Sequence, residues 1–531
     1  MQLTGQSIIG QHRGRKTGKV LNGFNPATAE ILPPDFYSTS EEEVDRSVQL
    51  ASESFIPFSR LAAKKRAAFL YSIAENLESL GDVLIERAIL ESGLSAARLR
   101  SERSRTCSQL RFFAQMVDDG SWADARIDRA GPARLPVPKP DVRSMLRAIG
   151  PIAVFCASNF PLAFSVAGGD TASALASGNT VIVLAHYAHP GTAELAGTAI
   201  RDAALKQGLP DGVFSLLYDS GQDVAKALVR HPQVRGVGFT GSRAGGMALL
   251  EVANSRSEPI PFYAEMSSVN PVFVLPSALD SRSETIAARL HESATLGVGQ
   301  FCTNLGVVIT VGDADAFVSR FTELMSTTPD GTMLNRNIAS SYHRAVSERA
   351  RQANVTVRWS RGSEVSPMRC SAGAALFETD VRSWLDDPSL QDEIFGPATL
   401  LVGARSRDEL LEIARSLDGN LTATILGTED DLQEFSELIA VLEQKVGRVL
   451  FNGFPTGVEV CEAMVHGGPY PATSDGRSTS VGGRAILRFT RPVCYQDFPD
   501  VALPAELQEG NPLGIGRLED GRYVKPVSSR E

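Results

Sequence analysis

Apolar residues recur at two different spacings along this chain, and the spacing changes near residue 150. Upstream, Val44, Val48, Ala51 and Phe55 share one helical face, and Ser40 and Glu43 precede them at capping-box spacing. A second amphipathic helix is predicted over about 62–80, with Phe69, Leu70, Ile73, Leu77 and Leu80 inward, and a third over about 82–92. Residues 131–140 hold four prolines and suit neither helix nor central strand. They lead into 142–148, whose mixed polarity predicts an edge strand.

From Pro151 to Leu275 the pattern alternates. Apolar runs at 152–156, 180–184, 212–217 and 234–239 read as short strands, with helical stretches at 192–207 and 222–230 between them. Such alternation predicts an α/β fold with a parallel sheet covered on both faces. A second strand–helix region runs from about 270 to 475, 486–490 reads as a late strand, and the polar tail after Pro499 is expected to wrap a surface. The uncharged run 148–169 is long enough to cross a bilayer, but Gly150, Pro151, Asn159 and Pro161 interrupt it, so buried strand plus loop is the better reading.

A chain of 531 residues is too long for one core and predicts two or three domains. Its 52 Lys and Arg against 62 Asp and Glu give a formal net charge of −10. Without a concentrated basic face, nucleic acid and anionic membranes are not expected partners. No apolar core with a cleavage site follows Met1, and the six cysteines (107, 156, 302, 370, 461 and 494) form no Cys-x-x-Cys pair or zinc spacing. A reducing cytoplasm and no metal are therefore expected.

Four segments carry candidate chemistry. Asn159, in Ala157-Ser-Asn-Phe-Pro-Leu162 after a strand, offers an amide that can donate to an oxyanion, although a loop asparagine is more often a cap. Phe239-Thr-Gly-Ser-Arg-Ala-Gly-Gly246 is a strand-to-helix turn where glycines and a helix N-terminus suit a phosphate; such a turn also needs glycine structurally. Glu265 lies between apolar segments and becomes a general base if semi-buried. Cys302, in Gly297-Val-Gly-Gln-Phe-Cys-Thr-Asn-Leu-Gly306, is flanked by glycines that leave its sulfur reachable, whereas an average cysteine is a small buried hydrophobe.

In this order, and with Asp392-Glu-Ile-Phe-Gly-Pro397 further on, the segments resemble the aldehyde dehydrogenase superfamily from Asn25-Pro26 to about Arg491. The resemblance implies a Rossmann-type cofactor domain (1–130 and 149–268), an α/β catalytic domain (269–475), a small β oligomerisation extension (131–148 and 484–500) and a tail (501–531). It implies that Cys302 is the nucleophile forming a thiohemiacetal and then a thioester, that Asn159 and the Cys302 N–H hold the oxyanion, and that Glu265 activates the hydrolytic water. Glu393 then matches the acid at the nicotinamide ribose, Phe395 packs near that ring, and Thr240, Gly241, Ser242 and Gly246 match the nicotinamide and pyrophosphate turn. Relatives that transfer the acyl group to CoA lack the acid, so Glu265 implies hydrolysis to a free acid.

Within the superfamily, Ala264-Glu-Met-Ser-Ser, Gly299-Gln-Phe-Cys-Thr-Asn, the 461–475 stretch and Arg491-Pro-Val-Cys-Tyr-Gln-Asp497 resemble 2,5-dioxovalerate (α-ketoglutarate semialdehyde) dehydrogenases. These convert 2,5-dioxopentanoate to 2-oxoglutarate; fatty-aldehyde dehydrogenases are the nearest competing subfamily. The chain departs from the family at Leu184, where a lysine normally touches the adenosine ribose, and at Tyr187, where NAD-preferring members often carry glutamate. The resemblance favours NADP, with NAD as the alternative. A substrate carboxylate calls for an arginine, and Arg477 is the candidate; Phe160, Phe301 and Phe454 are candidates for the aldehyde tunnel. A homodimer or homotetramer is expected, with 142–148 and 486–490 as interface strands. The competing class is a scaffold of the same fold with weak cofactor binding, for which Leu184 is the one argument.

Overall fold

The computed structural model describes residues 2–361 and 370–525. Three larger sheets organise them. The first runs Phe262–Glu265, Gly236–Thr240, Ile152–Phe155, Val181–Leu184, Phe214–Leu217, Ile8–Ile9 and His12–Arg13. Its first five strands are parallel and almost wholly buried, in keeping with their mainly apolar sequences. Chain order advances outward from Ile152–Phe155 to Phe214–Leu217, then returns to Gly236–Thr240 on the opposite flank. That reversal opens a crevice at the carboxyl ends of Ile152–Phe155 and Gly236–Thr240, the position where open α/β sheets bind ligands.

The helices around this sheet follow the apolar stripes. Ser40 Oγ accepts from the Glu43 N–H (3.2 Å) and the Glu43 carboxylate accepts from the Ser40 N–H (3.1 Å), forming the expected capping box on Glu41–Ser59. Ala63–Ser79 and Gly81–Ser92 follow. A fourth helix, Ala96–Asp119, was not evident from the pattern because its buried face mixes Leu99 and Leu110 with Glu102, Thr106 and Gln109.

The second sheet runs Thr356–Ser360, Ala375–Asp380, Ala398–Ala404, Val307–Val311, Val272–Val274, Asn420–Leu426 and Val446–Phe451, parallel except at its first pair. The third differs from expectation. Val142–Ala148 pairs on both sides, with Thr490–Gln496 and Arg126–Asp128, and is not an edge. Residues 486–489 belong to the 3-10 helix Gly483–Phe489, so the late strand starts at Thr490. The tail adds Arg517–Glu519 and Arg522–Val524 to the same sheet, because Arg126–Asp128 leaves an edge free for it. Among the described residues no helix is long and apolar enough to cross a membrane.

Candidate active site

Loops at the carboxyl ends of the first sheet meet loops at the amino ends of the second. Asn159 follows Ile152–Phe155, Glu265 ends Phe262–Glu265, Cys302 precedes Val307–Val311, and Glu393 precedes Ala398–Ala404. Asn270 joins them. It adopts φ 45°, a region asparagine tolerates, and its Nδ2 donates to the carbonyls of Cys302 (2.9 Å) and Asn304 (2.8 Å). Asn304 Nδ2 donates in turn to the Gly396 carbonyl (3.0 Å), tying the cysteine loop to the segment that carries Glu393.

Cys302 Sγ lies 3.5 Å from His466 Nε2, and the same nitrogen lies 2.9 Å from Glu265 Oε1. Ser480 Oγ donates to Glu265 Oε2 at 2.8 Å. Sulfur, ring nitrogen and carboxylate oxygen fall within 4.8 Å of one another, a donor set that a metal could also take. Glu265 is 4% and His466 1% exposed. Burial drives the Cys302 thiol well above its ordinary pKa, and the charges of Glu265 and Glu393 push it the same way. Burial also pushes Glu265 upward, but His466, Ser480 and Cys302 together outweigh it and hold the carboxyl below its usual value. The resting cluster therefore keeps its proton on sulfur and its negative charge on Glu265. An Nε2–H of His466 facing both groups stabilises whichever is anionic.

Asn159 is buried, and its Nδ2 donates to the Gln300 carbonyl (3.1 Å), two residues before the cysteine. From there a cleft of about 500 Å³ opens, lined by Asn159, Thr240, Gly241, Ser242, Glu265, Cys302, Glu393 and Phe395, with His186, Tyr187 and Arg344 also on its wall. Ser242 caps the helix Arg243–Asn254 through the Gly245 N–H (3.2 Å), so a helix N-terminus meets this cleft. Glu393 is a carboxyl pushed up to about 8 by burial, against the opposing effect of hydrogen bonds from Ser267 and Ser268. Such a lining could hold a dinucleotide: the helix N-terminus is suited to phosphates, and the Glu393 carboxylate could accept ribose hydroxyls.

Not every candidate residue reaches the cleft. Leu184 is 8% exposed and packs in the apolar core beside Ile182 and Leu217. Tyr187 does reach the cleft; it is 42% exposed, stacks on His186 at 4.5 Å, and accepts a hydrogen bond from Asn337 Nδ2 (2.9 Å). Gly246 lies behind the lining, where an added Cβ would meet Met266 Sδ at 2.8 Å, so the structure explains this glycine by close packing. Phe160 and Phe301 pack edge to face at 5.5 Å beside Cys302, and Phe164 extends the group. Phe454 instead lies under the Arg289 guanidinium (4.4 Å) against the core of the second sheet. Arg477 points into solvent, 91% exposed and paired with Asp475 (3.1 Å), because the turn after Ser474 carries it outward; it is no carboxylate ligand of this site. His466 escaped the sequence reading. Its only signal was membership of the 461–475 stretch, where nothing marked it as distant Glu265's partner.

Residues 13–470 match the aldehyde dehydrogenase family. Alpha-ketoglutaric semialdehyde dehydrogenase 2 of Azospirillum brasilense is 50% identical over 525 residues, covering 98% of this chain and 100% of that protein. Alpha-ketoglutaric semialdehyde dehydrogenase of Acinetobacter baylyi is 43% identical over 520 residues, covering 97% and 98%. Lactaldehyde dehydrogenase from Escherichia coli shares the fold with a TM-score of 0.80 at 19% identity, covering 92% of this chain and 98% of that one. The family's enzymes use NAD(P)+. With a thiol, a carboxylate and an amide converging on one cleft, and with a family match over most of its length, this chain belongs to the aldehyde dehydrogenase family and is an oxidoreductase acting on aldehydes.

Proposed function

We propose that this enzyme oxidises 2,5-dioxopentanoate to 2-oxoglutarate, with NADP preferred over NAD. The observation that carries the chemistry is the Cys302–His466–Glu265 cluster, with 3.5 Å and 2.9 Å between successive partners. The names borne by the two full-length relatives support the substrate. Tyr187 in place of an acid, and Arg344 on the cleft wall, favour a 2′-phosphate.

In this reading Cys302 loses its proton to water in the cleft and adds to the aldehyde carbon as the thiolate, which the His466 N–H stabilises. Asn159 Nδ2 and the Cys302 N–H stabilise the oxyanion that forms. A bound nicotinamide supplies the hydride acceptor in this step. The resulting Cys302 thioester is hydrolysed by water that gives its proton to Glu265, while His466 holds the carboxylate in place. Acid is released and the thiol restored.

The first sheet and its helices then form the cofactor domain, and the second sheet forms the catalytic one. Among the described residues Thr490–Gln496 has one strand partner, and Val446–Phe451 leaves Val449 and Phe451 exposed along another edge. Uncovered edges of this kind invite pairing, which supports a homodimer or homotetramer. The test is an activity matrix of 2,5-dioxopentanoate, pentanal and octanal with both nicotinamides. Preference for 2,5-dioxopentanoate with NADP is expected, and turnover should vanish in Cys302→Ala. Preference for octanal, or turnover surviving in that variant, refutes the reading.

A further inference from the structure

A five-carbon semialdehyde carries a carboxylate about 5 Å from its aldehyde carbon, so the site must offer a cation near the sulfur but beyond it. Arg477 does not. The helix Ala96–Asp119, whose role no motif suggested, brings Arg98 and Arg105 to the aromatic group beside Cys302. The Arg98 guanidinium lies over Phe160 at 4.5 Å and Phe301 at 4.6 Å, two rings adjacent in sequence to Asn159 and Cys302. Its Nη2 donates to the Asn159 carbonyl (3.3 Å). Gly297 makes room for this packing: a Cβ there would meet Phe301 at 2.8 Å and Arg98 Nη1 at 3.5 Å.

One acid stands nearby. Glu102 Oε2 is 3.5 Å from Arg98 Nε, but its other oxygen accepts the N–H groups of Leu162 (2.8 Å) and Ala163 (3.0 Å). That 3.5 Å approach is through Nε, and among the described residues Nη1 makes no protein hydrogen bond. Two further guanidiniums, neither in an ion pair among the described residues, add positive potential. Arg105, 5.1 Å from the Phe164 ring, donates to the Val458 carbonyl (3.3 Å) and leaves Nη1 buried and unpartnered. Arg448 donates to the carbonyls of Gly457 (3.1 Å) and Pro455 (2.8 Å). The Arg98 side chain is 22% exposed, so an entering ligand can reach it.

We infer that Arg98 is the residue that recognises the substrate carboxylate, its guanidinium fixed by Phe160, Phe301 and the Asn159 carbonyl so that Nη1 and the outer edge stay free for the anion. The assignment rests on the semialdehyde reading above. Arg105 and Arg448 raise the local potential and favour a carboxylate over a neutral chain end. A rigid fork held on two rings loses little entropy on binding, which lysine would not match.

The test reads one ratio: kcat/KM for 2,5-dioxopentanoate over kcat/KM for pentanal, with NADP, in the full-length enzyme. Loss of a charge-assisted contact in Arg98→Met is expected to lower that ratio about 10- to 100-fold. Arg98→Lys, which keeps the charge and loses the fork, should lower it less, and it supplies the measurement if Arg98→Met does not fold. A general structural defect would depress both substrates and leave the ratio in place. A ratio unchanged within about twofold, with wild-type preference for 2,5-dioxopentanoate intact, overturns the role of Arg98 alone. A wild-type enzyme without that preference overturns the substrate reading and this inference together.

Discussion

Replacing Glu265 with glutamine separates two effects that the cluster holds in opposition. The carboxylate lies within 4.8 Å of Cys302 Sγ and raises the thiol pKa by its charge. Two unit charges at that distance, with an effective dielectric near 20, interact by about 3 kcal/mol, equivalent to about 2 pKa units. Glutamine keeps an oxygen for the His466 N–H but removes the charge, so the thiol should ionise about 2 units lower. Thiolate nucleophilicity falls as its pKa falls, which leaves a net gain of about tenfold in alkylation rate below the wild-type pKa. Deacylation moves the other way, because loss of a general base costs about 10²- to 10⁴-fold. Two measurements follow: the pH dependence of iodoacetamide inactivation without cofactor, and stopped-flow absorbance of reduced nicotinamide with saturating aldehyde. Faster alkylation together with a burst near one equivalent per subunit, followed by a very slow steady rate, is expected. Slower alkylation with no burst would refute the reasoning, since Glu265 would then act chiefly as the thiol's own proton acceptor.

His466→Gln removes the imidazole that helps hold Glu265 below its usual pKa, so the acid limb of the kcat–pH profile should shift upward and kcat fall about tenfold or more; an unmoved acid limb counts against this. Burial pushes Glu393 up to about 8, and ribose hydroxyls favour its ionised form, so NADP affinity should strengthen as pH rises from 6 to 9 and level off above about 8. In Glu393→Gln that dependence, measured by calorimetric titration, should disappear. Asn270→Ala leaves two carbonyls, those of Cys302 and Asn304, without their donor at a fully buried position, and should cost about 2–4 kcal/mol of stability in a denaturant melt, with activity lost in proportion to the freed nucleophile loop.

Much of this protein was legible in order of residues alone. Local terms settle local structure: the Ser40–Glu43 box starts its helix, and the buried strands at 152–155 and 181–184 coincide with uninterrupted apolar runs. The ordered motifs around Asn159, Glu265, Cys302 and Glu393 were enough to indicate an aldehyde-oxidising family, because chemistry at a sulfur needs those groups whatever surrounds them. Periodicity failed where burial and polarity part company. The helix Ala96–Asp119 buries Glu102 and Gln109, so its stripe is blurred, yet it carries the arginines nearest the aromatic group.

What lies between distant segments had to await the fold. His466 and Glu265 are 201 residues apart, and Arg98 and Asn159 are 61 apart; no spacing rule connects either pair. Leu184 drew attention as a departure from a cofactor pattern but packs in the core, while Arg477, chosen for its charge and loop, points into water. Residue type determined which reactions were possible. Only tertiary structure decided which charge is buried, which is screened by solvent, and which faces the sulfur, because each depends on neighbours that the chain brings together from far away.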